Sequence, residues 1–151
     1  MKAVIFLVSL MMFFHPVSVK AEAPMTTADM AEQCGITEEE FIFLSSVVEA
    51  ESDRSESLDG RILIAETILN RVNSEQFPDT ITEVLCQSGQ FSTVRNGHSV
   101  TNRTEYSDQA VLLAYAEIEA GEAPEVLWFN CIGFTSWGID YALVDGNYFS
   151  C

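Results

Sequence analysis

The sequence predicts a small α+β domain that is mostly helical, with a short β-hairpin near its C-terminus. Two consecutive helical patterns occupy residues 37–72, where apolar side chains recur at the spacing of buried helix faces. Strand-like runs follow at Val126–Asn130 and Tyr148–Ser150. The chain has 151 residues. That length is enough for one hydrophobic core.

Residues 1–21 are predicted to be a signal peptide. Lys2 supplies a positive charge, and the apolar run Ala3–Phe14 is shorter than the roughly 20 residues of a membrane-spanning helix. Val19-Lys20-Ala21 offers a small-residue cleavage site. The alternative is an uncleaved anchor. Residues 22–36 are predicted to be a frayed lead-in segment, and residues 37–151 to be the folded domain, secreted to the outside of the cell.

Glu49 closes the first helical pattern. Thr37 and Glu40 form a capping box that predicts a helix start. The residues between Phe41 and Val48 are apolar on nearly every face, which is typical of a buried helix. Burial disfavours the charged form of a carboxylate and is expected to raise the pKa of Glu49, as a general acid requires. The alternative is an ordinary solvated glutamate at a helix end.

Further helices are predicted from start and stop signals. The second helix spans about Leu58 to Val72, and Asn70 and Arg71 in its last turn favour a scaffold role. Thr80 and Glu83 predict a short helix to about Cys86. Ser107 is predicted to cap a packing helix that runs to Ala120 and stops at Gly121.

The charge of the chain excludes two classes of partner. Beyond Ala21 it carries five arginines, no lysine and 23 acidic residues, a formal net charge of −18. Nucleic acids and anionic membranes are bound through lysine and arginine, so neither is an expected partner, and no membrane insertion is expected after signal cleavage.

The four cysteines predict two disulfides. An even number of cysteines in a short secreted chain is typical of a disulfide framework. The residues are Cys34, Cys86, Cys131 and Cys151, and three connectivities remain open. A zinc site is the alternative, but no two of these cysteines have the close spacing that zinc ligands usually show.

Several short motifs occur in a fixed order along the chain. They are E-A-E from Glu49, E-S-L-D-G from Glu56, I-L-N-R-V from Ile68, F-P-D-T-I from Phe77, G-Q-F-S from Gly89, and N-G at 96–97. In this order they resemble the spore cortex-lytic and cell wall hydrolase family of SleB and CwlJ type, from Phe41 to the C-terminus. The resemblance implies a lysozyme-like α+β fold and cleavage of peptidoglycan glycan strands. It also implies that Glu49 is the catalytic residue.

Other candidate site residues are expected to bind substrate. Gln90 and Phe91 suit a sugar because an amide binds hydroxyl groups and a ring packs on a pyranose face; the alternative places Phe91 in the core and Gln90 on a loop. Glu56 matches the second glutamate of the family, although it equally suits a helix N-terminus. The remaining candidates are Trp137 in a glycine- and aromatic-rich segment, Asn147, and Tyr148, where the family often has histidine.

Glu49 has a strong claim to the chemistry and no partner carboxylate has a comparable one. This favours lytic transglycosylation between N-acetylmuramic acid and N-acetylglucosamine, which leaves 1,6-anhydro-muramic ends. A hydrolytic glycosidase is the first alternative and needs a second carboxylate, with Glu51, Asp53 and Glu56 as candidates. A non-catalytic wall-binding module is the second alternative. No metal or organic cofactor is implied. The expected partners are peptidoglycan glycan strands and accessory wall proteins, and the expected location is the cell wall or the spore.

Overall fold

The computed structural model describes residues 23–52, 57–94 and 103–151, so the predicted signal peptide lies outside the described residues. The helices are α1 (Thr27–Cys34), α2 (Glu38–Glu51), α3 (Leu58–Val72), α4 (Ile81–Leu85) and α5 (Glu105–Ala120). A 3₁₀ turn at Ser92–Val94 precedes α5, and three strands follow it, β1 (Trp128–Asn130), β2 (Asp140–Val144) and β3 (Asn147–Ser150). No helix in the described ranges is long and apolar enough to span a bilayer.

Local capping signals start most of these helices. The predicted capping box of Thr37 and Glu40 starts α2, and Thr80 caps α4. Helix α5 begins slightly earlier than predicted, because Thr104 is its N-cap and Ser107 is the reciprocal partner inside the first turn. It ends as predicted at Gly121, whose φ of 70° is readily accessible to glycine.

Helix α1 corrects the prediction of a frayed lead-in. Thr26 caps the helix, and its backbone N–H donates to the Asp29 carboxylate at 2.8 Å, which completes a capping box. Ala31 and Cys34 are buried against the rest of the domain. The physical reason is the T-x-x-D capping signal at 26–29, which starts a helix in this segment.

Helix α2 lies at the centre of the core. Phe41, Leu44, Val47 and Val48 are fully buried, and they pack among apolar residues contributed by the other helices and the sheet. A helix with so little polar surface is held on several sides at once, and its C-terminal turn is thereby fixed in position.

The three strands form one antiparallel sheet in the order β1-β3-β2. The predicted strands at Val126–Asn130 and Tyr148–Ser150 correspond to β1 and β3, which pair with each other. Strand β2 forms a tight hairpin with β3, and the two are joined by Asp145 and Gly146 with φ values of 49° and 83°. A two-residue Asp-Gly turn of this kind matches the twist of the strands it joins. Strand β2 is not among the strands that the sequence predicts.

Asn70 and Arg71 have the predicted scaffold role. The Asn70 side-chain amide donates to the carbonyls of Pro124 and Val126 at 2.8 and 3.0 Å. Arg71 Nε donates to the carbonyl of Leu127 at 2.8 Å. These bonds hold the segment that enters β1 against the end of α3.

The structure corrects the prediction of two disulfides, because all four cysteines are free. The strand register explains this for Cys131 and Cys151. Trp128 pairs with Ser150 and Asn130 with Tyr148, so the two cysteines flank opposite ends of the β1–β3 ladder. Four residues of strand separate them by about 13 Å, whereas bridged Cα atoms lie within about 7 Å.

Candidate active site

Glu49 lies in the last turn of α2, and its carboxylate is bound by two other helices. Its side chain is 17 % exposed and that of Arg61 on α3 is 12 % exposed. Arg61 Nη2 donates to Oε1 at 3.1 Å and Arg61 Nε donates to Oε2 at 3.2 Å. The Thr104 hydroxyl, which caps α5, donates to Oε2 at 2.7 Å. The carboxylate is therefore fixed in orientation by a two-point arginine contact and a hydroxyl.

Two helix N-termini converge on this carboxylate. Thr104 is the N-cap of α5, so the positive end of that helix dipole faces Glu49. Arg61 is in the first turns of α3, and its Nη1 also donates to the carbonyl of the N-cap Ser57 at 3.2 Å. Ser45 on α2 donates to Ser107 at 3.0 Å and so links α2 to the same end of α5. Polar and positively charged groups thus surround the Glu49 carboxylate at the edge of the apolar core.

The prediction of a raised pKa for Glu49 is wrong for the free protein. Burial acts to raise its pKa, but the hydrogen bonds from Arg61 and Thr104, the positive charge of Arg61 and a hydrogen bond from Ser107 outweigh this effect. The net pKa of Glu49 lies below its ordinary value. Glu49 is consequently an ionised carboxylate at neutral pH when no substrate is bound.

Glu51, two residues further along α2, has the opposite behaviour. Burial raises the pKa of Glu51 although Thr93 Oγ1 donates to its Oε1 at 2.8 Å. Residues two apart on an α-helix point about 200° away from each other, so Glu49 and Glu51 leave α2 on different sides. The contact with Thr93 ties the G-Q-F-S segment, which contains Gln90, to the end of α2.

Phe91 and Asn147 do not present the sugar-binding surfaces predicted for them. Phe91 is 3 % exposed, and its ring lies 5.5 Å from the Arg71 guanidinium and 6.4 Å from the Phe129 ring. Asn147 is 6 % exposed and shares the inner face of β3 with Phe149. Both side chains are covered by the core, so the alternative reading of Phe91 as a core residue holds.

The other predicted site residues lie at the surface or outside the described ranges. Gln90 is exposed on its loop, and Trp137 is 82 % exposed. Tyr148 is on the outer face of β3, where the Phe134 ring meets it edge-on at 5.0 Å. Glu56 and the N-G pair at 96–97 lie outside the described residues. For Gln90, Trp137, Tyr148 and Glu56, substrate binding therefore stays a prediction.

Sequence reasoning missed Arg61 and Thr104. Arg61 could have been found from helix geometry, because it follows the N-cap Ser57 by one turn at the end of α3 that faces back toward α2. Thr104 carries a local signal, the T-x-x-S pair at 104–107, but nothing near it in the sequence points to Glu49. The contact joins residues 55 positions apart and depends on how α5 packs against α2.

Comparison with known protein families identifies the family of this chain. The family model described as Cell Wall Hydrolase matches residues 55–138, which is more than half of the chain. The chain belongs to this family. The matched stretch begins six positions after Glu49, so it includes Arg61 and Thr104 but not the glutamate itself.

Relatives and solved structures agree with this assignment. The chain is 31 % identical over 107 residues to a spore cortex-lytic enzyme of Bacillus subtilis, and 31 % identical over 78 residues to one of Oceanobacillus iheyensis. These matches cover 69 % and 52 % of the chain but only 34 % and 28 % of the two relatives, so the chain corresponds to about a third of their length.

Two solved structures share the fold. The catalytic domain of the Bacillus cereus SleB protein matches with a TM-score of 0.65 and 24 % identity, over 76 % of this chain and 91 % of that one. The catalytic domain of the germination-specific lytic transglycosylase SleB from Bacillus anthracis matches with a TM-score of 0.64, over 78 % of this chain and 98 % of that one. The predicted α+β class and the predicted family are thus confirmed.

Proposed function

We propose that the protein is an enzyme that cleaves peptidoglycan glycan strands by lytic transglycosylation, with Glu49 as its catalytic residue. The observation that carries the proposal is the Glu49 carboxylate, which is nearly buried yet oriented by Arg61 and Thr104 from two other helices. A surface glutamate of a purely wall-binding module needs no such clamp. Family membership and the names of the relatives support the substrate class.

One carboxyl group suffices for this reaction. Protonated Glu49 gives its proton to the oxygen that links N-acetylmuramic acid to N-acetylglucosamine, and the C1–O bond breaks. The resulting carboxylate then takes the proton of the muramoyl C6 hydroxyl as that oxygen bonds to C1. The product is a 1,6-anhydro sugar, and Glu49 ends protonated for the next cycle. Tethering gives the C6 hydroxyl a large effective concentration, so no activated water is needed.

Glu49 must gain a proton before it can act. In the free protein the guanidinium of Arg61 keeps the carboxylate ionised. A glycan strand that covers the pocket excludes water, which raises the pKa of a carboxyl by desolvation. Substrate binding therefore favours the protonated form in which Glu49 is a general acid.

Hydrolysis is the second candidate, and the ionised state of Glu49 is the observation that favours it. A carboxylate held ionised by an arginine is suited to act as a nucleophile or as a base for water. A second carboxyl group must then donate the proton. Glu51 has a raised pKa but leaves α2 on another side. The remaining candidates for this role, Asp53 and Glu56, lie outside the described residues.

Product analysis on purified sacculi separates these possibilities. Transglycosylation leaves 1,6-anhydro-muramic ends that are one water lighter than the reducing ends left by hydrolysis, and mass spectrometry distinguishes the two. Under the first mechanism Glu56→Gln retains substantial activity. Reducing ends, together with loss of activity in Glu56→Gln, would establish the hydrolase instead.

Glu49→Gln tests the catalytic assignment. The amide keeps the shape of the side chain but cannot give up a proton, so the cleavage rate should fall by about 10²–10⁴-fold. Glu39→Gln is the matched control, since Glu39 is an exposed glutamate on the same helix. A folded Glu49→Gln protein that degrades sacculi as fast as Glu39→Gln would remove Glu49 from the mechanism.

A further inference from the structure

The sheet has one buried face and one outer face. Phe129 and Phe149 stack at 5.7 Å on the buried face, where Phe149 is fully enclosed. Leu143 pairs with Tyr148 in the register, and directly paired residues share a face. Tyr148 alternates with Phe149, so Leu143 and Tyr148 lie on the outer face.

The segment between β1 and β2 folds over part of this outer face. The Phe134 ring packs edge-on against Tyr148 at 5.0 Å. Gly138 lies so close to β3 that a Cβ atom there would meet the Cys151 carbonyl at 2.3 Å, so only glycine permits this approach. The segment is therefore seated on the sheet, and it still leaves large apolar side chains in solvent.

We call this surface the aromatic face; it is made up of the exposed residues Phe134, Trp137, Tyr141 and Leu143 and the half-buried Tyr148. Trp137 is 82 % exposed, Leu143 56 % and Tyr141 49 %. Large apolar groups gathered at a surface mark a binding site more often than the same groups scattered singly.

The hairpin that carries part of the aromatic face is linked to the candidate active site by hydrogen bonds. Asp145 in the β2–β3 turn accepts a hydrogen bond from the Ser57 hydroxyl at the start of α3. The Ser57 carbonyl accepts from Arg61, and Arg61 holds the Glu49 carboxylate. The hairpin that carries Tyr141 and Leu143 is thus anchored next to the residues that position the catalytic group.

The charge of this part of the chain restricts the occupant. No lysine or arginine follows Arg103 in the sequence, and Asp140 and Asp145 lie at the two ends of β2 and its turn. The stretch of chain that forms this face therefore offers no positive side chain to a nucleic acid or an anionic lipid. Uncharged sugar rings, by contrast, pack their C–H faces on exposed aromatic rings and bind polar neighbours through their hydroxyl groups.

We propose that the aromatic face binds N-acetylhexosamine units of the glycan strand beyond the bond that is cleaved. The inference rests on the proposed function for its choice of ligand, and it extends the binding site from the Glu49 pocket along the hairpin. Trp137 and Tyr141 supply the stacking surfaces. Their contribution is to hold the strand, and Glu49 carries out the chemistry.

The test is binding of chitohexaose, an oligomer of N-acetylglucosamine, to the Glu49→Gln protein, measured by isothermal titration calorimetry. This background separates binding from cleavage. Trp137→Ala and Tyr141→Ala should each weaken binding by about tenfold, which corresponds to about 1.4 kcal/mol. Ile42→Ala is the control, because Ile42 is an apolar residue on α2 with 40 % exposure, away from the sheet. Truncating such exposed side chains leaves the core intact.

Each other outcome overturns the inference. Undiminished affinity in both variants would show that the sugar binds elsewhere. Absence of chitohexaose binding to the Glu49→Gln protein would show that N-acetylglucosamine oligomers are not a ligand. Self-association in sedimentation velocity that Trp137→Ala abolishes would make the face a contact between copies of the chain. Binding to phosphatidylglycerol vesicles that the same variant abolishes would make it a lipid contact. Failure of the proposed function appears separately, as intact sacculi after incubation with the wild-type protein.

Discussion

At the residue scale, the proposed role of Glu49 sets two opposite requirements. A general acid must be protonated when substrate is bound, whereas Arg61 and Thr104 stabilise the ionised form in the free protein. The pH dependence of kcat/KM reports the pKa values of the free enzyme, so the effect of Arg61 and Thr104 on the pKa of Glu49 should be measurable there. Under the proposed mechanism, Arg61 is a positioning residue whose charge also sets the pH range of activity.

Arg61→Gln should shift the pH profile of glycan cleavage. A general acid loses activity as the pH rises through its pKa, and the lowered pKa of Glu49 places this basic limb in the acid range. Removing the guanidinium should raise the pKa and move the limb of kcat/KM upward by about 1–2 pH units. The measurement is kcat/KM against pH on soluble glycan fragments.

Arg61→Lys is the control, since it keeps a positive charge near the carboxylate and should leave the limb close to the wild-type position. An unchanged limb in Arg61→Gln would show that Arg61 only supports the fold. A shift of an acidic limb would mean that ionised Glu49 is the active form, as the hydrolytic mechanism requires.

The sequence located Glu49 but not its surroundings. An apolar helix that ends in a glutamate is a local pattern, and it correctly placed this residue at the edge of the core. The sign of the pKa shift depends on Arg61 and Thr104, which lie 12 and 55 positions away and reach Glu49 only through helix packing. Phe91 was misassigned for the same reason, because its partner Phe129 belongs to a distant strand.

At the element scale, the packing of α3 against α5 contains a second carboxyl group with a perturbed pKa. Glu66 is 1 % exposed, and its Oε1 atom has no hydrogen-bond partner among the described residues. Burial, together with the hydrogen bond and charge of Glu117 on α5, raises the pKa of Glu66 to about 8. A protonated Glu66 can donate to Glu117, so the interface favours the neutral acid.

Glu66→Gln should therefore stabilise the protein in mildly alkaline solution. A carboxyl group with a raised folded-state pKa contributes stability that is complete below its unfolded pKa and is lost as the pH rises through about 8. The amide cannot ionise, so the variant should exceed the wild type by roughly 1–3 kcal/mol at pH 8 and differ little at pH 4. Thermal unfolding at both pH values measures this.

Glu119→Gln is the control, because it removes one negative charge from an exposed position on α5. The difference in its free energy of unfolding between pH 4 and pH 8 should equal that of the wild type. An equal gain in both variants would assign the effect to net charge rather than to the buried pair.

The same distinction between local and distant information explains which elements the sequence predicted. Helices α2, α3 and α4 begin at capping residues next to apolar patterns, and both signals are local. Strand β2 carries the exposed apolar residues Tyr141 and Leu143 on its outer face, where a strand normally carries polar residues. Its sequence therefore lacks the alternation of apolar and polar residues that predicts a strand. The Asp145-Gly146 turn was the available signal for it.

At the scale of the whole molecule, one core built around α2 holds the domain together without disulfides. The four cysteines occupy unlike environments: Cys34 is buried at the end of α1, Cys86 and Cys131 are exposed, and Cys151 is half-buried. Their even number in a short chain with a predicted signal peptide suggested bridges from the sequence, but pairing depends on Cα distances that only the fold determines. Reduction should consequently have little effect on the melting temperature.

Alkylation of the native protein should distinguish these environments. Iodoacetamide reacts with thiolates, so exposed Cys86 and Cys131 should be modified first. Burial and the charge of Glu119 raise the pKa of Cys34 to about 11, and its modification should be slower by at least about 100-fold at pH 8. Access to Cys34 requires α1 to separate from the core, so its rate should rise with urea while those of the exposed thiols change little. Peptide mass spectrometry over time follows each site. Resistance of any pair of cysteines to alkylation in denaturant before reduction would establish a disulfide and restore the expectation drawn from the sequence.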